Sequence, residues 1–206
     1  FSMFGRKSSD SDNQSTNRWL IVGLGNPGPE YEKTRHNIGA MVITQMAATA
    51  GVKFSSHKAR ANVAEFKLGF GGEAPALVVA TLRCYMNESG GPTKSLTDYF
   101  KVKSDHLIVV HDELDIPFNT IRIKQGGGDN GHNGLKSTTS AMSANYFRIR
   151  MGIGRPIGQQ DPADFVLKNF ASAEKGEIPG FVSRGADAIE YLIKHGLQAA
   201  QSQYNN

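Results

Sequence analysis

Cysteine is nearly missing from these 206 residues: Cys84 stands alone, which excludes an internal disulfide framework and any metal site built from several thiolates. Long apolar runs are missing too. None approaches the roughly 18 residues a membrane span needs, so an integral membrane helix is excluded. No secretory h-region precedes the first strand, and with a lone cysteine this points to the cytoplasm. The sequence also lacks a G-x-S-x-G serine elbow and an H-E-x-x-H zinc motif. Gly134-Leu135-Lys136-Ser137 fails as the end of a P-loop, because Leu135 separates a glycine and a lysine that must be adjacent. Acidic residues vanish between Glu32 and Glu65.

What is present is an ordinary globular composition, 39% hydrophobic, with a formal net charge of +4. That balance suits an anionic partner without requiring one. Residues 1–17 are rich in Ser, Asn and Asp and read as a disordered leader or expression remnant, leaving 18–206 as the domain proper. The pattern predicts a strand over 19–24 and a helix over 36–50, with Ile38, Met41, Val42 and Met46 on one face. ANVAEFKLG and APALVVATL, joined by FGGE, predict a hairpin. A helix is expected over 90–100. HLIVVHDEL reads as a buried strand, NTIRIKQ as a half-exposed one, HNGLKSTTSAMS as a helix and YFRIRMGIG as a strand. From Ser172 onward, apolar residues from Ile178 to Leu197 recur at the spacing of one packed amphipathic helix. Strands interleaved with helices predict a single α/β domain whose central mixed, twisted sheet carries helices on both faces. Ligands of such sheets collect at the carboxyl ends of strands, where GNPG, HDELD and GGGDNGHNG fall.

WLIVGLGNPG matches the G-x-G-x-x-G of a dinucleotide loop. The context argues against it. Pro29 disfavours helical geometry at Gly28, the helical pattern starts only near His36, and the acid-free stretch offers no carboxylate for a ribose about 20 residues on. The same stretch carries Lys33, Arg35, Lys53, Lys58 and Arg60, a local basic region that is either a solvated surface or part of an anion site.

A hydrolase without a metal or a serine or cysteine nucleophile must activate water directly, and a neutral imidazole is the usual base near pH 7. A carboxylate on the other ring nitrogen fixes its tautomer. His36 and Asp112 supply such a pair if the helix start meets the strand end. His111 and His132 are the other histidines in strand-end or loop contexts. Asn26, Asn37, Asn87 and Asn133 offer neutral donors for an oxyanion or for substrate carbonyls, although Asn is also a common turn residue. Arg122 and Lys124 share one side of a strand. With Arg150 and its neighbour Arg148 they form either a phosphate clamp at the mouth of the site or the exposed face of an edge strand.

GLGNPGPEYEKTRHNIG, YMNESG, HDELDIP, GGGDNGHNGLKS and FRIRMGIGRP, in this order, resemble bacterial peptidyl-tRNA hydrolase over about residues 18–200. The resemblance implies hydrolysis of the ester joining a peptide to tRNA with no cofactor and no metal; with no obvious exposed apolar surface in the sequence, a monomer is the default expectation. It implies His36 as base, Asp112 as its orienting carboxylate, Asn26 as an active-site amide and Asn133 as the amide that positions water. It further implies Asn87 as a substrate amide, Tyr31 and Met86 as walls, His132 as part of the loop edging the cleft, and Arg122, Lys124 and Arg150 as a clamp for the 5′-phosphate of tRNA. The sequence departs from the family pattern at Asp129 and Asn130, where His or Glu and then glycine are common, and at Leu82-Arg83-Cys84. A non-catalytic RNA-binding protein on the same scaffold is the alternative, and it would have little need for the His36, Asp112 and Asn set.

Overall fold

The computed structural model describes residues 17–206, so the expected leader lies outside the described residues except for Asn17, which bonds to Glu73 and Ala76. Seven strands form one sheet: β1 (Arg18–Gly23), β2 (Ser55–His57), β3 (Ala61–Lys67), β4 (Ala76–Leu82), β5 (Leu107–Glu113), β6 (Ile121–Gln125) and β7 (Phe147–Gly152). Their spatial order is β2-β3-β4-β1-β5-β7-β6. The central four, β4-β1-β5-β7, are parallel, while β3 and β6 run antiparallel to their inner neighbours. The mixed sheet is therefore as expected. Its parallel centre sends the segments after β1, β4 and β5 to one end, where the site lies.

Alternation along the strands divides the core in two. Ile21, Val79, Ile108, Val110 and Met151 point to one face, where helices α1 (Ile38–Ala50) and α6 (Ile178–His195) cover them. Leu20, Val22, Val78 and Val109 point to the other, under α2 (Gly90–Phe100) and α3 (Asn133–Met142). β5 is buried on both faces up to Asp112, which is why LIVV reads as a continuous apolar run. Each fully buried Leu, Ile or Val contributes about 1.5–3 kcal/mol relative to an exposed one, so the strand ends carrying the polar residues are firmly placed.

One close approach fixes the site's geometry. A side chain at Gly39 would strike the Val110 carbonyl, and one at Gly23 would strike the backbone of Gly39. The start of α1 thus packs backbone to backbone against β1 and β5, and the turn before it reaches the end of β5.

The structure differs from the sequence expectations at four places. The helix expected from His36 begins as a 3-10 turn, Arg35–Asn37, and becomes α-helical at Ile38. β2 has three polar, mostly exposed residues and no alternation to reveal it. A short helix, α4 (Pro162–Val166), fills a segment with no clear period, and another, α5 (Ser172–Lys175), stands apart at the start of the helix expected from Ser172. The single C-terminal helix breaks at Gly196, whose φ of +83° is left-handed, into α6 and α7 (Leu197–Tyr204). No described helix is long and apolar enough to cross a membrane.

Candidate active site

Asp112, at the end of β5, is buried, and each of its carboxylate oxygens meets a histidine. His36 Nδ1 lies 2.8 Å from Oδ2 and His132 Nε2 lies 2.8 Å from Oδ1. The His132 tautomer follows from its other nitrogen. His132 is the N-cap of α3, and its Nδ1 accepts the backbone N–H groups of Gly134 at 3.1 Å and Leu135 at 3.3 Å. That nitrogen carries no proton, so Nε2–H is the donor to Asp112. With the carboxylate an acceptor at both oxygens, His36 donates through Nδ1–H and keeps its Nε2 lone pair for the cleft.

The His132 tautomer also bears on whether this cluster could hold a metal. The ligating atoms of His36, Asp112 and His132 lie within 4.8 Å of one another. The nitrogen that His132 turns toward the group bears a hydrogen and has no lone pair to give, so the three are built as a hydrogen-bonded chain and not as a tridentate ligand set.

Electrostatics follow from this arrangement. Burial disfavours a charged His36, but the charge of Asp112 and its hydrogen bond outweigh that, and the His36 pKa is raised above its ordinary value. Burial would likewise raise Asp112, yet the two histidines hold its carboxyl well below the usual range. His111, one residue away, points to the other face of the sheet. Burial and the neighbouring His132 push its pKa down to about 3, so it stays neutral and outside the chain.

Asn26 and Asn37 are paired reciprocally: Asn26 N–H donates to Asn37 Oδ1, and Asn37 Nδ2 donates to the Asn26 carbonyl, both at 2.9 Å. The Asn37 amide, one of the neutral groups the sequence offered, thus shapes the GNPG loop through both its oxygen and its nitrogen. Asn26 Oδ1 accepts the Met86 backbone N–H at 2.7 Å, which fixes its side-chain amide against the 86–88 turn. Asn133, the first residue of α3, lines a cleft of about 140 Å³ together with His36, Asp112 and α4. It also borders a wider groove of about 480 Å³ with Asn87 and Lys136. His36, Asp112, His132 and Asn133 therefore share one cavity, with Asn26 joined to them through Asn37.

A family model described as peptidyl-tRNA hydrolase matches residues 20–206. The chain belongs to the peptidyl-tRNA hydrolase family. It is 51% identical over 191 residues to the peptidyl-tRNA hydrolase of Paenarthrobacter aurescens, covering 92% of this chain and 97% of that one. It is also 51% identical over 190 residues to that of Streptomyces coelicolor, covering 91% and 95%. A crystal structure of a peptidyl-tRNA hydrolase in complex with N-propanol superposes with a TM-score of 0.83 at 31% identity, covering 91% of this chain and 94% of that one. The enzyme from Acinetobacter baumannii superposes with the same score, identity and coverage.

Seen within this hydrolase family, the remaining sequence candidates separate into rim, support and cationic edge. Tyr31 stands at the rim, edge-on to Tyr85 with ring centroids 6.4 Å apart; Tyr85, the first residue of YMNESG, is 55% exposed and was not singled out within that segment. Met86 is buried and lies under Gly134 and beside Leu24, so its side chain supports the cleft from below and its backbone serves Asn26. Arg122 is paired with Arg150 across β6 and β7, and Arg150 with His111 across β7 and β5. Lys124 follows on the same face, half-buried like the other two. Burial, then the charges of Arg150 and Arg148, lower the Lys124 pKa, as expected where cations are crowded without enough counter-charge.

Arg148 is a different matter from its neighbours. It is fully buried, donating to the carbonyls of Gly128 at 2.6 Å and Gly127 at 2.9 Å. It anchors the glycine loop through those carbonyls. Asn130, the departure noted in that loop, adopts φ +50° and donates to both Glu113 and Asp115, which Arg155 also grips. This latch on the loop has no signature in the sequence, because its members come from three separate segments.

Proposed function

We propose that this hydrolase cleaves the ester joining a peptide, or an N-blocked aminoacyl group, to the terminal ribose of tRNA by direct attack of water. His36 Nε2 takes a proton as the water oxygen bonds to the ester carbonyl carbon. Asp112 holds the tautomer and stabilises the imidazolium as it forms, and His132 holds Asp112. Asn133, at the cleft, positions the water, while the Nδ2 group of Asn26 and backbone amides take up the oxyanion. When the tetrahedral intermediate collapses, the bond to the ribose oxygen breaks. The proton on His36 passes to that oxygen, leaving tRNA and a peptide carboxylate. No metal is needed in this sequence of steps.

Amide groups at Asn87 and Asn133 suit the backbone of a peptide, which every sequence shares, so selectivity rests on the tRNA. Arg122, Lys124 and Arg150 form the clamp for its 5′-phosphate, and Tyr31 walls the entrance. We read the protein as a cytoplasmic monomer, in keeping with that substrate.

The observation that carries this reading is the 2.8 Å contact of His36 with a carboxylate whose second oxygen is already occupied by His132. Release of labelled N-acetyl-aminoacyl groups from tRNA in EDTA tests it. Wild type should turn over and His36→Ala should not. If both bind tRNA and neither turns over, the scaffold is a binding module.

A further inference from the structure

Arg35, the residue before the base, is charged and yet 7% exposed. Its guanidinium carbon lies 3.9 Å from the centroid of the Phe165 ring, with Phe170 at 5.7 Å on a second ring. Nη1 donates to the Phe165 carbonyl at 3.3 Å and Nη2 meets Glu174 Oε1 at 3.1 Å. The backbone joins in: Arg35 N–H donates to the Lys168 carbonyl at 3.0 Å, and Thr34 bridges to Asn169. Glu174 Oε1 also receives the Ala171 N–H at 2.8 Å, so it ties down the start of α5 at the same time.

These contacts all fall on the segment that walls the cleft. α4 turns Phe165 toward Arg35 and presents Pro162, Ala163 and Val166 to the cavity holding His36. Burying a guanidinium is costly unless its hydrogen bonds are met. Here its planar face and two nitrogens are met by α4 and α5, and only Nε is left without a partner. A lysine offers one compact charge and cannot stack and fork at once.

We infer that Arg35 is a positioning residue which hooks the α4–α5 wall onto the turn bearing His36, and so sets how closely that wall shields the base from water. The inference rests on the assignment of His36 as base. The hook acts without touching substrate, through the dryness of the imidazole and the width of the cleft. The groups facing His36 are Asp112 and Glu113 from β5 and His132 from the cap of α3, while α4 contributes no titratable side chain to the cavity. Loosening α4 therefore brings water to His36 and no new titratable group, and Arg35→Lys, which keeps the cation beside His36, separates this effect from the loss of the Arg35 charge. Burial is the influence that lowers the His36 pKa. Relieving it moves that pKa upward.

The test is the pH profile of kcat/KM on N-acetyl-aminoacyl-tRNA for wild type, Arg35→Met, Arg35→Lys and Glu174→Ala. Arg35→Met should lose on the order of tenfold or more in kcat/KM at pH 7, with its acid limb shifted to higher pH by about half a unit. Arg35→Lys should fall between it and wild type. Glu174→Ala, which leaves the arginine in place, should shift the limb in the same direction and serves if Arg35→Met does not fold. Unshifted limbs in the folded variants, whatever their stability, overturn the inference. A wild-type profile with no acid limb would instead remove the assignment of His36 on which it stands.

Discussion

His132 donates its Nε2–H to Asp112 across 2.8 Å while its own Nδ1 caps helix α3. One ring thereby links the frame of the fold to the chemistry: the helix start fixes the imidazole, the imidazole fixes one carboxylate oxygen, and the other oxygen is left for His36. An acid held from both sides cannot rotate away from the base it orients.

The first consequence concerns the carboxylate itself. Asp112→Asn keeps the size of the side chain but offers an amide where His36 and His132 both present N–H groups, so one histidine must change tautomer or lose its partner. A fall of about 10³–10⁴ in kcat, with little change in KM, is expected from the comparable substitution in a Ser-His-Asp triad. Steady-state kinetics at pH 7.5 decide it. A drop of less than tenfold would mean that Asp112 serves packing and not catalysis.

The cationic edge gives a prediction of another kind. If Lys124 contacts a phosphate, Lys124→Ala should weaken tRNA binding and reduce the slope of log K against log salt by roughly 0.7–0.9, the loss of one released counterion. Titrations between about 50 and 200 mM salt, roughly a fourfold change within the range where such slopes are measured, read this directly. Parallel lines for variant and wild type would take Lys124 out of the clamp.

The backbone contact under α1 predicts a defect that begins in the fold and ends at the site. Gly39→Ala places a methyl against the Val110 carbonyl, and overpacking of this kind costs about 1–3 kcal/mol. The helix must lift, carrying the Arg35–Asn37 turn with it, so activity should drop further than stability does. Thermal unfolding paired with kinetics tests this, and a variant equal to wild type in both would show that the approach is not tight.

Much of this was legible from the residues, and for identifiable reasons. Strands such as β1 with its LIV and β5 with its LIVV announce themselves because burial on both faces demands continuous apolar residues, and the order of strands and helices was enough for an α/β sheet. His36, Asp112 and Asn133 stand out because each is a polar residue placed where a periodic pattern starts or stops. What remained hidden depends on contacts between distant segments. β2 exists only because β3 offers it an edge. α4 and α5 are too short to show a period, and their hold on Arg35 spans 139 residues of sequence to Glu174. Arg148 and Arg150 point the same way from β7, so alternation could not show that one is buried and the other half-buried; what separates them is the loop folded over Arg148.

If a neutral His36, oriented by Asp112, removes the proton from water, its ionisation must appear in the pH dependence of single-turnover hydrolysis. Because the His36 pKa is raised by Asp112, activity should be lost as pH falls through a single ionisation lying above the ordinary imidazole value of about 6.5, and Asp112→Asn should move that ionisation downward. A rate that stays flat from pH 5 to 8 in the wild type would contradict it.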